Sequence, residues 1–130
     1  ISKQQGLELS SSWLVSESFV LDASYTYTDS TQEGVDEIRR ARNLGSLNLL
    51  WRAEDKLTIN VNAQHNGKQA DIGGVTLDAF TLVNLNANLN ATDKLDIYLR
   101  LDNLFDEDYQ EVFGYQTLGF GASFGLRYSL

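Results

Sequence analysis

The side chains equipped for chemistry fall in a few short stretches. Arg39, Arg40 and Arg42 follow closely on Asp29, Glu33, Asp36 and Glu37. A guanidinium forks onto carboxylate or phosphate oxygens, so this group can pair with its acidic neighbours, contact lipid phosphates or hold an anionic ligand. With carboxylates so near in sequence, pairing within the loop comes first. Asp106, Glu107, Asp108 and Glu111 form a second acidic cluster. Neither cluster has the regular oxygen-ligand spacing and central glycine of a calcium loop, so both read as solvated surface and no metal site is expected. Tyr109, Tyr115 and Gln116 stand in the same stretch, and loops carry binding residues more often than the elements they join. Arg39, Arg40, Tyr109, Tyr115 and Gln116 are therefore the candidate ligand contacts. His65 is the only histidine, and no local nucleophile signature accompanies it. Gly73-Gly74 reads as a turn, because a phosphate cradle needs a glycine-rich strand-to-helix passage. No catalytic residue and no cofactor follow.

The elements that hold these groups are written in period two. Val83-Asn84-Leu85-Asn86-Ala87-Asn88-Leu89-Asn90 sets small and aliphatic side chains against four asparagines. Leu57-Thr58-Ile59-Asn60-Val61-Asn62-Ala63-Gln64 repeats the arrangement. Successive strand residues point to opposite faces, so each segment has one apolar side and one neutral polar side. Similar alternation covers Gly6 to Leu14, Phe19 to Thr28, Leu44 to Ala53, Leu95 to Leu104 and Phe120 to Leu130, and the fourth segment runs on to about Asn66. That makes seven predicted strands of about ten residues, the length a tilted strand needs to cross a bilayer. A water-exposed sheet usually shows Lys, Glu and Arg, whereas Asn, Thr, Ser and Gln suit a confined aqueous lumen with lipid behind it. Arg52, Arg100 and Arg127 fall on the polar side among Asp22, Asp96 and Asp102, as in a charge-balanced lumen wall.

The connections alternate in kind. Val15 to Ser18, Glu54 to Lys56 and Thr92 to Lys94 are tight polar turns, while Asp29 to Asn43, Gly67 to Asp78 and Phe105 to Gly119 are long. Short turns on one rim and long loops on the other are the habit of outer-membrane barrels. Trp13, Phe19 and Trp51 lie beside the short turns, and Tyr25, Tyr27 and Phe120 lie toward the long loops, as two aromatic girdles would. A soluble sandwich with the apolar side as its core has the same period, so periodicity alone leaves that alternative open.

Composition narrows the classes. The 130-residue chain has no cysteine, so no disulfide framework or cysteine metal site. It has no proline, which suits long hydrogen-bonded ladders. Apolar runs such as Leu49-Leu50-Trp51 fall far short of the ~20 residues a membrane helix needs. A net charge of −8 speaks against nucleic acid as a partner, since that binding rests on Lys and Arg at phosphates. The absence of Met and of a secretory signal reads as an excised piece of something larger.

The last third carries the sharpest signature. Leu101-Asp102-Asn103-Leu104-Phe105-Asp106-Glu107-Asp108-Tyr109, followed by Phe113-Gly114-Tyr115-Gln116-Thr117, closely resembles the C-terminal region of TonB-dependent outer-membrane receptors. The Gly6-Leu7-Glu8 start and the Arg39-Arg40 pair also look like that family. The tail resembles the signal read by the barrel assembly machinery, although Leu130 stands where the family usually ends in Phe and Gly119-Phe120 where Gly-Arg is common. The resemblance implies that residues 1–130 are the C-terminal part of an all-β, antiparallel, 22-stranded transmembrane barrel of the Gram-negative outer membrane. It also implies uptake of a ferric siderophore, cobalamin or similar scarce ligand, energised by the TonB complex through a plug absent here. Expected partners are outer-membrane lipid and lipopolysaccharide, the rest of the barrel and plug, and the assembly machinery at the last strand. Two other readings are a small outer-membrane barrel with a structural or adhesin role, and a soluble carbohydrate-binding β-domain.

Overall fold

The computed structural model describes residues 1–130 as one antiparallel meander with local additions. The strands are β1 (Ser2–Ser16), β2 (Phe19–Gln32), β3 (Val35–Asp36), β4 (Asn43–Ala53), β5 (Leu57–Asn66), β6 (Gln69–Asp71), β7 (Val75–Leu77), β8 (Phe80–Asn90), β9 (Leu95–Asp102) and β10 (Gly121–Tyr128). The long ones pair in the order β1-β2-β4-β5-β8-β9-β10, with β3 added to β2, and β6 and β7 form a separate hairpin. The seven predicted strands are thus the seven long ones.

Register turns the sequence alternation into two surfaces. One row across the sheet reads Trp13, Leu21, Leu49, Val61, Leu85, Leu101 and Ala122. The adjacent row on the opposite face reads Ser12, Asp22, Asn48, Asn62 and Asn84. Asn60 Nδ2 donates to Asn48 Oδ1 at 3.1 Å, so amides also cross-link along the polar face. Only 7 of 130 residues are buried, and the apolar ones, Ala41, Leu77 and Phe80, all lie at the long-loop end. Phe124 and Leu126 remain 69 % and 61 % exposed. The apolar face therefore has no second protein layer over it, and the sandwich alternative has no core.

Several strand boundaries differ from the alternation, some because the ladder outruns the bilayer and one because the backbone turns. β1 and β2 stay paired from Ser16↔Phe19 up to Ser2↔Gln32, well beyond Thr28. Their 15 and 14 residues exceed the ~9–11 that span a bilayer. Above the hydrocarbon both faces are wet, so the ladder continues while its hydrophobic period disappears. The same loss of period hides β3 and the β6–β7 hairpin. In the other direction β9 stops at Asp102, because Asn103 turns left-handed at φ 50°.

Tyr98 lies over Gly125, its cross-strand partner, and a Cβ there would run into the Tyr98 ring. Tyr98 is 47 % exposed, so the ring can swing away into the open space on the polar face. Gly125→Val is therefore expected to cost only about 1 kcal/mol, at the low end of overpacking. The urea midpoint of the detergent-folded protein measures it, and a Tyr98→Ala background should abolish the effect.

Candidate functional site

The long loops meet at one end of the sheet, and a carboxylate that the sequence reading did not single out joins them. Asp71 ends β6, and its side chain is fully enclosed. Oδ1 accepts from its neighbour's amide, Ile72 N, at 2.7 Å, which caps the turn through Gly73 and Gly74 at φ 79° and 75°. Oδ2 accepts from Phe113 N at 2.7 Å, in the loop between β9 and β10. Arg39 Nε reaches Oδ1 at 3.2 Å from the loop between β2 and β4. One carboxylate thus ties all three long loops together. The Phe113 and Ile72 amides, ahead of Arg39, hold its pKa below the usual aspartate value. Gln69 Nε2 adds a bond to Glu111 O at 2.7 Å, and Arg39 N donates to Ala70 O at 2.6 Å.

The candidate contacts are placed unevenly around this junction. Arg39 adopts φ 59°, a left-handed conformation for a non-glycine, and spends Nε on Asp71 while its side chain stays 46 % exposed. Arg40 pairs with Glu37 Oε2 at 3.0 Å and donates to Gln4 Oε1 at 3.3 Å. Arg42 Nη2 meets Asp36 at 2.7 Å and Asp29 at 3.5 Å, which raises its pKa, the Asp36 hydrogen bond contributing most. Glu37 is held below the usual carboxylate range, chiefly by the Ser2 hydroxyl at 2.7 Å and further by Arg40. Pairing within the loop, as expected from sequence, accounts for Arg40 and Arg42. Arg39 instead pairs across loops.

Tyr109 packs its ring on Phe80, with centroids 4.5 Å apart and planes tilted by 33°. Together with Val75, Leu77 and Phe113 they line a hollow of about 300 Å³ edged by Asp78 and Asp108. A second hollow of about 210 Å³ is polar, with Glu37, Arg40, Arg42, Lys68 and Gln69 around the buried Ser30. The Ser30 hydroxyl is the one enclosed side-chain polar atom without a hydrogen-bond partner. Tyr115 and Gln116 are exposed at the tip of the last long loop, apart from both hollows. No group of His, Asp and Glu side chains gathers into a metal-holding cluster.

Asn103 anchors the last loop. It is 5 % exposed, donates from Nδ2 to Glu107 O at 3.0 Å and Leu118 O at 3.3 Å, and accepts from Glu107 N at 2.8 Å. Its own amide donates to Asn84 Oδ1 at 2.9 Å, and Asp106 Oδ1 accepts from Phe120 N at 2.8 Å. The Asn103–Asp106 stretch is thus a strand terminator that satisfies the backbone where the ladder ends.

A two-faced meander with an amide-lined side, short turns at one rim and tied loops at the other defines the wall of an outer-membrane barrel. Residues 2–104 match the family described as TonB dependent receptor-like, beta-barrel. The chain belongs to the β-barrel region of the TonB-dependent receptors, a family of the Gram-negative outer membrane whose members are receptors and transporters rather than enzymes. It is 34 % identical over 125 residues to the vitamin B12 transporter BtuB of Photobacterium profundum, covering 92 % of this chain and 20 % of that protein. It is 32 % identical over 114 residues to the iron-regulated outer membrane virulence protein of Vibrio cholerae, covering 79 % of this chain and 18 % of that one. The pyoverdine outer membrane receptor FpvA from Pseudomonas aeruginosa superposes with a TM-score of 0.83 at 21 % identity, over 99 % of this chain and 22 % of that one. The chain thus spans about a fifth of the length of the curated relatives it matches.

Proposed function

We propose that residues 1–130 form the C-terminal seven strands of a 22-stranded barrel that imports a scarce ligand, a ferric siderophore or cobalamin, under TonB drive through a plug. The observation that carries this is the junction at Asp71, which gathers all three long loops over one end of the amide-lined face. Similarity to a vitamin B12 transporter and to iron-regulated and pyoverdine receptors supports both ligand classes. In this reading Arg39 and Arg40 meet acidic groups of the ligand. Tyr109, Tyr115 and Gln116 supply stacking and hydrogen bonds at the mouth. β10 presents its outer edge to the first strand of the barrel and, during biogenesis, to the assembly machinery.

Uptake of labelled cyanocobalamin and of a panel of ferric siderophores by cells carrying the complete receptor tests this. TonB-dependent uptake of one class is expected, and lack of TonB-dependent uptake of either overturns the reading. Within a positive assay Tyr109→Ala should weaken ligand binding about tenfold, roughly the 1.4 kcal/mol of a modest aromatic contact. Binding of labelled ligand to whole cells measures it.

A further inference from the structure

The polar face changes character close to the short turns. One register row there reads Leu14, Val20, Leu50, Asn60, Asn86, Arg100 and Ser123. Its first three members are apolar neighbours, whereas the next row toward the loops carries Ser12, Asp22 and Asn48. Leu14 is 71 % exposed, and Val20 and Leu50 are half-buried. An apolar patch left against water is unfavourable, so a protein surface has to cover it. Charge brackets the patch. Asp22 stands one row toward the loops, in a hollow of about 390 Å³ where the small side chains of Ser10, Ser12, Ser24 and Ser46 leave room around it. Arg52 stands one row toward the short turns. Two such steps along the ladder put them roughly 13 Å apart, and neither enters an ion pair.

We propose that this patch docks the plug of the same receptor, through a segment whose apolar side chains lie between a basic residue facing Asp22 and an acidic residue facing Arg52. The inference rests on the barrel reading above, in which lipid takes the opposite face, through Leu21, Leu49 and Trp51, and the plug fills the bore. The chain covers 20 % of the vitamin B12 transporter it matches, so a receptor of that size has ample chain outside these strands to supply the segment. Two features select a docked segment over a passing solute. The apolar row lies at the short-turn end, far from the loops gathered at Asp71. Its two unpaired charges, of opposite sign, also call for a partner held in one orientation. Asn60 and Asn86 continue the row, so the apolar contact is confined to β1, β2 and β4.

The photocrosslinking residue p-benzoylphenylalanine, placed at Leu14 of the complete receptor in outer membranes, tests this, with the same probe at Leu49 as a control on the other face. Mass spectrometry of the crosslinked products is expected to join the Leu14 probe to the plug and the Leu49 probe to lipid. Leu50→Asn in the Leu14 probe background should lower the urea concentration at which the plug crosslink is lost by about 1 M, the shift for one lost leucine contact. Heat-modified gel mobility should show the barrel itself unfolding where it did before. Should the Leu14 probe not assemble, Val20 carries it in the same row. Crosslinks confined to barrel peptides, or a urea threshold unmoved by Leu50→Asn, overturn the docking and leave the barrel reading intact. Lipid on the Leu14 probe, or none on the Leu49 probe, overturns the barrel reading beneath it.

Discussion

Asp71→Ala is expected to loosen three loops at once. The variant strands the Phe113 and Ile72 amides and releases Arg39, whose left-handed backbone is held in part by this contact. A buried acceptor removed from charge-assisted bonds costs more than a surface pair, because its donors stay enclosed without partners. Hydrogen exchange at Phe113 and Ile72 should accelerate roughly tenfold or more, and proteolysis should begin in the loops while the strands stay protected. Arg39→Ala leaves both amide bonds in place and should release its own loop alone. Equal loosening of all three loops by the two variants would falsify the central role of the carboxylate.

Acidity should act on the same junction. Folding lowers the Asp71 pKa from its ordinary value of 3.8, so the folded protein binds this proton less readily than the unfolded chain. The stabilisation is complete above that value and is lost as the pH falls through the lower, folded pKa. Glu37, also lowered, adds to the slope with the same sign. Loop protection factors, taken against the intrinsic exchange rate at each pH, should be flat at neutral pH and fall only in acid. Asp71→Asn should remove most of that fall, leaving the part due to Glu37.

Asn103→Ala should be among the most damaging single substitutions in the sheet. It removes three side-chain hydrogen bonds around a buried turn, at about 1 kcal/mol each, and forces alanine into a left-handed conformation worth about another 1 kcal/mol. A total near 3–4 kcal/mol would undo the hinge that returns the chain from β9 to β10. Asn103→Gly keeps the bond losses and relieves the backbone, so it should recover about 1 kcal/mol. Urea unfolding of the detergent-folded receptor, read by heat-modified mobility, gives both numbers.

The strands were legible because a bilayer imposes period two on every residue inside it. Leu57 to Asn66 could be read almost to the residue, and the strand expected from Leu95 to Leu104 starts where expected but ends at Asp102. The Asn103–Asp106 terminator was legible too, because its motif is specific, although Asn84, Leu118 and Phe120 among its partners are 14 to 19 residues away. Above the membrane this constraint vanishes, and the upper β1–β2 ladder, β3 and the β6–β7 hairpin left no periodic trace. Asp71 was hidden for another reason. Its decisive partners, Arg39 and Phe113, are 32 and 42 residues away, and no local pattern announces such a meeting. An Asp followed by Ile72-Gly73-Gly74 does hint at a capped turn, and that was the one signal available. Arg39, placed by sequence among local acids, crosses to a distant one because its own backbone turns it away.

The asparagine rows carry a consequence for whatever travels past them. Amides such as Asn48, Asn60, Asn62 and Asn84 offer donors and acceptors in equal measure and no net charge. In the reading proposed above, this amide field can replace the hydration shell of a passing solute group by group, with Asp22 and the Asp96–Arg127 pair as charged points along it. On that reading, recognition would fall to the charged and aromatic groups of the tied loops, and the amide rows below them would serve passage alone.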